Sequence, residues 1–307
     1  MKQINLDLIR STEAAAIAAA MWVGSGNKLE ADKSAVIAMR ERLNKIDFFG
    51  VVAIGEGKKD ESYGLYQGEF VGMGELPICD LAIDPIEGTT PTVTSGPEAI
   101  STIAMAGHNC FYRTEDFYML KMAYGSEIRD KIKLKISDDI LTIVAQIAEV
   151  LNKPKEKVMV CMLDRPRHQK YIDQLREQKV RIKLIKDCDV SGAIAACFEE
   201  SGIDLLYGIG GAPEAVISAA AIKCLGGDFQ GICTDDKFNL NGSAGGNSIV
   251  ISNLSHLEGS NTWETTFTGA AWAAGQHTDT ATVSSTYADS AGKTKPVGDT
   301  DAANYFG

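Results

Sequence analysis

Val36, Met39, Leu43 and Ile46 recur at helical spacing, which predicts a helix with Asp32 near its N-terminus. Residues 51–54 form a short apolar run that opens into Gly55-Glu56-Gly57, the pattern of a buried strand entering a loop. Residues 117–124 read as another strand, and Ile140, Val144, Ile147 and Leu151 mark a helix starting near Ser137. Lys153-Pro154-Lys155-Glu156-Lys157 then breaks the pattern like a hinge.

Beyond it the segments alternate: strands at 158–163, 180–185 and 203–207, helices at 169–178, 190–198 and 213–225. Repeated βα units imply a parallel sheet. The expected class is therefore α/β, with an α+β first half and a parallel-sheet α/β second half. The expected division is 1–152, 153–235 and an atypical stretch, 236–307. From Asn239 onward that stretch is rich in Asn, Gly, Ser, Thr and Ala, and reads as weakly ordered. Within it residues 248–251 supply one strand, and Trp263, Phe267 and Trp272 are candidate anchors of a small β module.

At 307 residues, 45% of them hydrophobic, the chain can bury a substantial core. A net charge of −11 argues against nucleic acid or an anionic membrane as the main partner. Seven cysteines without a C-x-x-C pair, and no secretory leader, lead us to expect reduced thiols and a cytoplasmic protein. The Ala-rich run 14–23 is too short and too lightly apolar to span a bilayer. It reads as an ordinary helix, with a subunit contact as one use for it.

Candidate chemistry starts at Asp84-Pro85-Ile86-Glu87-Gly88-Thr89-Thr90. Asp84 and Glu87 lie three apart around a Pro turn, so with the Ile86 carbonyl they offer oxygen ligands to a hard cation such as Mg²⁺ or Mn²⁺. Gly88 and Thr89 offer backbone N–H groups to a phosphate oxygen. Taken alone, Asp-Pro followed by Gly is also an ordinary turn. Glu56 sits at a strand-to-loop opening, Asp32 near a helix start where capping explains it equally well, and Glu214 at a strand-to-helix junction. Together these five acids can neutralise two or three divalent ions, as phosphate-ester hydrolysis requires.

In the second half, ligands of a parallel sheet bind beyond the C-terminal strand ends. That gathers Arg165, Arg167, Asp187, Asp189 and Glu214 on one rim. Arg165 and Arg167 suit a second phosphate, with a plain surface pair as the alternative. His168 caps the next helix or faces solvent, and Cys188 lacks a cation that would activate it. Gly208-Ile209-Gly210-Gly211 departs from the dinucleotide-binding pattern at Pro213.

The stretches GEGKKDESYGLYQGE (55–69), DLAIDPIEGTT (80–90), DRPRH (164–168), DCDV (187–190) and LLYGIGGAPEAVISAAAI (205–222) closely resemble the class II fructose-1,6-bisphosphatases. These belong to the lithium-sensitive phosphatase superfamily, with its layered sugar-phosphatase fold. The resemblance runs from about Leu8 to Gly231. It implies that Asp32, Glu56, Asp84, Glu87 and Glu214 bind metal, and that Thr89 orients the attacking water. It further places Tyr118, Arg165, Arg167, Asp187 and Asp189 around the sugar bisphosphate, with Lys28, Gly88 and Asp60 nearby. Glu56, Asp60 and Thr89 are the catalytic candidates. The family often has Lys where Arg165 stands.

The implied activity is hydrolysis of the 1-phosphate of fructose 1,6-bisphosphate by a homo-oligomer, a dimer or tetramer. Sedoheptulose 1,7-bisphosphate or inositol phosphate hydrolysis differs only in the sugar pocket, and the motifs do not separate these. A third reading, from another class, is an inactive descendant used for binding or assembly.

Overall fold

The computed structural model describes residues 2–56, 63–114 and 117–234, and past them the strand segments 249–252, 266–268, 280–282, 286–288 and 294–296. Helices α1 (Lys2–Ala20) and α2 (Lys28–Leu43) form the outer layer. Ala15, Ala19, Ala31 and Ala35 are buried in the core they share, and side chains this small let the two backbones approach closely. Val36, Met39 and Leu43 then pack with Val52, Leu81 and Ile83 of the first sheet. Asn27 caps α2 by accepting the Glu30 N–H at 3.2 Å, so Asp32, four residues further on than Lys28, does not serve as the cap.

The first sheet has the order β2-β1-β3-β4, from β2 (Phe70–Val71), β1 (Phe49–Ile54), β3 (Ile78–Glu87) and β4 (Ile100–Gly107). β3 runs parallel to β1 and antiparallel to β4. The Pro turn expected after Asp84 is instead a bulge within β3. Its pairing with β4 shifts between Asp84 and Glu87, where Pro85 has no N–H for the ladder. β3 stops at Gly88, whose φ of 96° lets the chain enter α3 (Thr89–Val93).

The larger sheet contains β5 (Tyr118–Tyr124), β6 (Met159–Leu163), β7 (Arg181–Ile185), β8 (Leu205–Gly211), β9 (Asp228–Cys233) and β10 (Ile249–Ser252). Their order is β10-β9-β5-β8-β6-β7. β8, β6 and β7 are parallel, as the βα pattern predicts, while β5 pairs antiparallel with both β8 and β9 and makes the sheet mixed. β5 thus pairs with strands from beyond residue 152.

Alternation with period two sends Val160, Met162, Leu205 and Tyr207 to one face and Cys161, Leu163 and Leu206 to the other. α5 (Ile140–Val150) and α6 (Gln169–Glu177) cover the first face, joined by Ile128 of the short α4 (Ser126–Arg129). α7 (Asp189–Ala195) and α8 (Ala212–Leu225) cover the second. On their far side Val190, Val216 and Ile217 meet Ile54 and Ala82 of the first sheet. The chain is therefore layered helix, sheet, helix, sheet, helix, and α7 and α8 form the shared middle layer. Phe267 falls in a described strand, whereas Trp263 and Trp272 lie outside the described residues.

Candidate active site

The end of β3 meets the N-termini of α7 and α8. Asp84 is half-buried, and its Oδ1 accepts the Ile86 N–H at 3.1 Å. Burial, followed by the charges of Glu214, Glu56 and Glu87, raises its carboxyl well above the ordinary range. Those four acids therefore share one field. Glu87 Oε1 accepts the Val190 N–H at 2.8 Å, while its Oε2 is buried without a hydrogen-bond partner. Burial, then Asp189, pushes Glu87 up to about 8.

Thr89 opens α3 and donates its hydroxyl to Asp32 Oδ1 at 2.6 Å. This explains Asp32: one helical turn inside α2, its carboxylate reaches across to the first residue after the bulge. Lys28 Nζ donates to Thr90 Oγ1 at 2.7 Å, which puts an ammonium beside the same turn. Glu56 follows β1, its N–H bonded to the Leu65 carbonyl at 2.9 Å. Buried Glu69 secures the returning side of that loop by accepting from Arg40 and from the Leu65 N–H. Glu214 lies in the first turn of α8, and a Cβ on Gly211 would collide with its carboxylate. Asp60 lies outside the described residues.

The donor set suits a hard divalent cation. It is all carboxylate, and one buried oxygen, Glu87 Oε2, lacks a protein donor. Among the described residues no three acidic, His or Cys side chains already converge as a finished ligand set. Like charges repel here, and Asp84, Glu87 and Asp32 each turn toward a protein donor instead.

The rim of the larger sheet completes the cleft. β7 and β8 lie on opposite sides of β6, so the order in which strands are added across the sheet reverses there, and Arg165, Arg167, Asp187 and Asp189 all follow the ends of β6 and β7. Arg165 bonds Asp187 Oδ1 at 2.5 Å. Arg167 donates through Nε to the Ile209 carbonyl at 3.0 Å and stacks over the Tyr118 ring, 4.8 Å from its centroid. His168 neither caps by side chain nor faces solvent. It is fully buried, with Nδ1 2.6 Å from the Leu163 carbonyl and Nε2 accepting the Ile209 N–H at 2.7 Å. The arrangement fixes a neutral ring, and burial lowers its pKa.

Cys188 occupies the left-handed region at φ 70° between the two aspartates, and its thiol donates to the Glu87 carbonyl at 3.2 Å. A Cβ on Gly88 would strike its sulfur, so that contact ties α7 to the end of β3. Burial raises its pKa, in keeping with an unreactive thiol.

One residue escaped the sequence reading. Lys121, in mid-strand β5, is 1% exposed and bonds Asp189 Oδ2 at 2.8 Å. Its signal was present, because a lysine within YMLKMAY is a charge where the pattern demands burial.

Comparison with known proteins agrees with this geometry. The family model of bacterial fructose-1,6-bisphosphatase, glpX-encoded, matches residues 2–249. The chain is 40% identical over 230 residues to fructose-1,6-bisphosphatase 1 class 2 of Escherichia coli strain K12, covering 75% of this chain and 68% of that protein. The class 2 fructose-1,6-bisphosphatases of Escherichia coli O6:H1 and Shigella flexneri match with the same identity and coverage. The family consists of metal-dependent phosphatases. The chain belongs to the glpX-encoded family of bacterial fructose-1,6-bisphosphatases.

Proposed function

We propose that this chain hydrolyses the 1-phosphate of fructose 1,6-bisphosphate, with Asp32, Glu56, Asp84, Glu87 and Glu214 holding two or three Mg²⁺ or Mn²⁺ ions. The observation that carries this reading is the group of mutually repelling acids around half-buried Asp84, beside the Thr89–Asp32 hydrogen bond. When bound, divalent ions supply Lewis acidity and offset the charge of the phosphoryl group.

The chain's own residues do the rest. Because Thr89 gives its proton to Asp32, its oxygen lone pairs face outward and orient a water by accepting its hydrogen. Glu56 or Asp60 takes the proton that this water releases. Gly88 and the first turn of α3 present backbone N–H groups to the reacting phosphate, and Lys28 adds positive charge at the same turn. Arg167, held by Ile209 and Tyr118, meets the phosphate that is not cleaved, with Arg165 beside it. Asp187 and Asp189 accept hydrogen bonds from sugar hydroxyls.

Leu6, Ile9 and Ile17 leave an apolar outer face on α1, which Met21 extends in the turn that follows, the last two being 70% and 82% exposed. That face supports a homo-oligomer, a dimer or tetramer. The seven free thiols favour a reducing compartment, the cytoplasm. No described helix is long and apolar enough to cross a membrane.

The test is phosphate release from a panel of sugar bisphosphates, sugar monophosphates and inositol phosphates, with Mg²⁺, with Mn²⁺, and after chelation. Fructose 1,6-bisphosphate is expected to turn over fastest, and chelation to abolish turnover. Full activity after exhaustive chelation and dialysis would sink the reading.

A further inference from the structure

We propose that Lys121 is a positioning residue of the active site, whose buried ammonium holds Asp189 toward the substrate and keeps it from acting as an additional metal carboxylate beside Glu87. The inference rests on the proposed roles of Glu87 and Asp189 and adds a residue that neither role requires.

Three observations meet here. The ammonium and Asp189 Oδ2 are 2.8 Å apart, with the two side chains 1% and 9% exposed, so the pair is screened little by water. Asp189 is the residue before Val190, whose N–H bonds Glu87 Oε1, so the paired carboxylate and the proposed metal ligand stand side by side. Finally, the larger sheet is shaped around this lysine. Its cross-strand neighbours in β8 and β9 are Gly208 and Gly231, and a Cβ on Gly210 would collide with Asp189 Oδ2 and come within 3.0 Å of Lys121 Nζ.

A buried lysine is costly unless something requires it, and a Lys–Asp pair could be replaced by apolar groups at little loss of stability. Its position supplies the requirement. Without the ammonium, Asp189 loses its paired cation next to Glu87, and a divalent ion competes with the more distant Arg167 to be its counter-charge. Asp189 would then be drawn from the sugar to the metal. Lys121 thus sets a division between carboxylates that bind cation and carboxylates that bind substrate.

The experiment measures Mn²⁺ binding directly, by calorimetry or by the electron paramagnetic resonance signal of free Mn²⁺, in substrate-free parent, Lys121→Met, Asp189→Asn and the double variant. KM and kcat are measured alongside. Lys121→Met should bind Mn²⁺ several-fold more tightly while KM for fructose 1,6-bisphosphate rises by about tenfold or more. A lysine that only stabilises the fold would lower Tm and move neither constant. If Lys121→Met does not fold, Asp189→Asn and the double variant carry the test. Asp189→Asn leaves an unbalanced ammonium near Glu87 and should bind Mn²⁺ more weakly than the double variant. Equal Mn²⁺ affinity in those two proteins, or an unchanged KM in folded Lys121→Met, overturns the inference while leaving the metal site intact. A parent that binds no Mn²⁺ overturns both.

Discussion

At the end of β3, half-buried Asp84 and buried Glu87 stand among other carboxylates, and both are held toward the protonated form by desolvation and by their neighbours' charge. On the other side of the site, at the strand ends of the larger sheet, both carboxylates assigned to the sugar have a cation within reach, Asp187 with Arg165 and Asp189 with Lys121. One side of the site is incomplete without an external positive charge, and the other is already neutralised by its own sequence. Catalysis of this kind needs both. Ions must be attracted strongly where the phosphoryl group reacts, while the sugar and its second phosphate need donors and acceptors that stay in place when the ions change.

The comparison breaks most sharply at Asp84. Asp84→Asn keeps the shape of the side chain but removes a charge from the acid cluster, so turnover should fall on the order of 10²–10³-fold or more. The same substitution should leave the metal-free protein as stable as the parent or more so, because the carboxylate it removes is desolvated and repelled by Glu214, Glu56 and Glu87. Steady-state kinetics and thermal melts of the chelated protein check both signs. Near-parental turnover would end the assignment of Asp84 to the metal.

On the opposite side the expected loss is smaller and selective. Arg167→Ala should lower kcat/KM for the bisphosphate by roughly ten- to a hundredfold, the cost of one charge-assisted contact to a phosphate, and affect a sugar monophosphate much less. The informative quantity is the ratio of the two kcat/KM values. Equal losses on both substrates would mean that Arg167 serves the strand ends through Ile209 and Tyr118 and does not touch the second phosphate.

These two sides were unequally legible in the sequence. The strands and helices of the second half follow from period-two and period-3.6 patterns, and the observed β6, α6, β7 and α8 lie within a residue or so of expectation. The strand ends could then be predicted as one rim. What the pattern did not contain was long-range register: β5 reads as a strand, but nothing local says that it lies beside β8 and β9. Lys121 therefore looked like an isolated charge, although its partner lies only across the sheet.

The acids show the same limit. Asp32 invited a capping role because helix starts are read locally, whereas its contact with Thr89 crosses 57 positions. Pro85 signalled a turn, and only pairing with β4 makes it a bulge. His168 has no periodic signature at all. Its burial depends on two strand ends that meet only after the sheet has formed.

The smallest expected effect lies in pH, where the two sides should pull in opposite directions. In the metal-free protein the folded-state pKa of Glu87 is raised from 4.5 to about 8, so its contribution is present below pH 4.5 and is lost as pH rises through about 8. Asp84 adds in the same sense. His168 is lowered from 6.5, so its contribution is present above that value and is lost as pH falls through the folded-state value. Chelated protein should therefore lose a few degrees of Tm as pH rises from about 6 to 8, and addition of Mn²⁺ should remove that loss, since an ion bound only to the folded state stabilises it. His168→Ala should flatten the acid side of the profile and leave the alkaline side and its Mn²⁺ response unchanged. Thermal melts across this range, with chelator and with Mn²⁺, resolve the two limbs. An alkaline limb that ignores Mn²⁺ would show that Asp84 and Glu87 are not where the ion binds, and the contrast between the two sides of the site would lose its chemical basis.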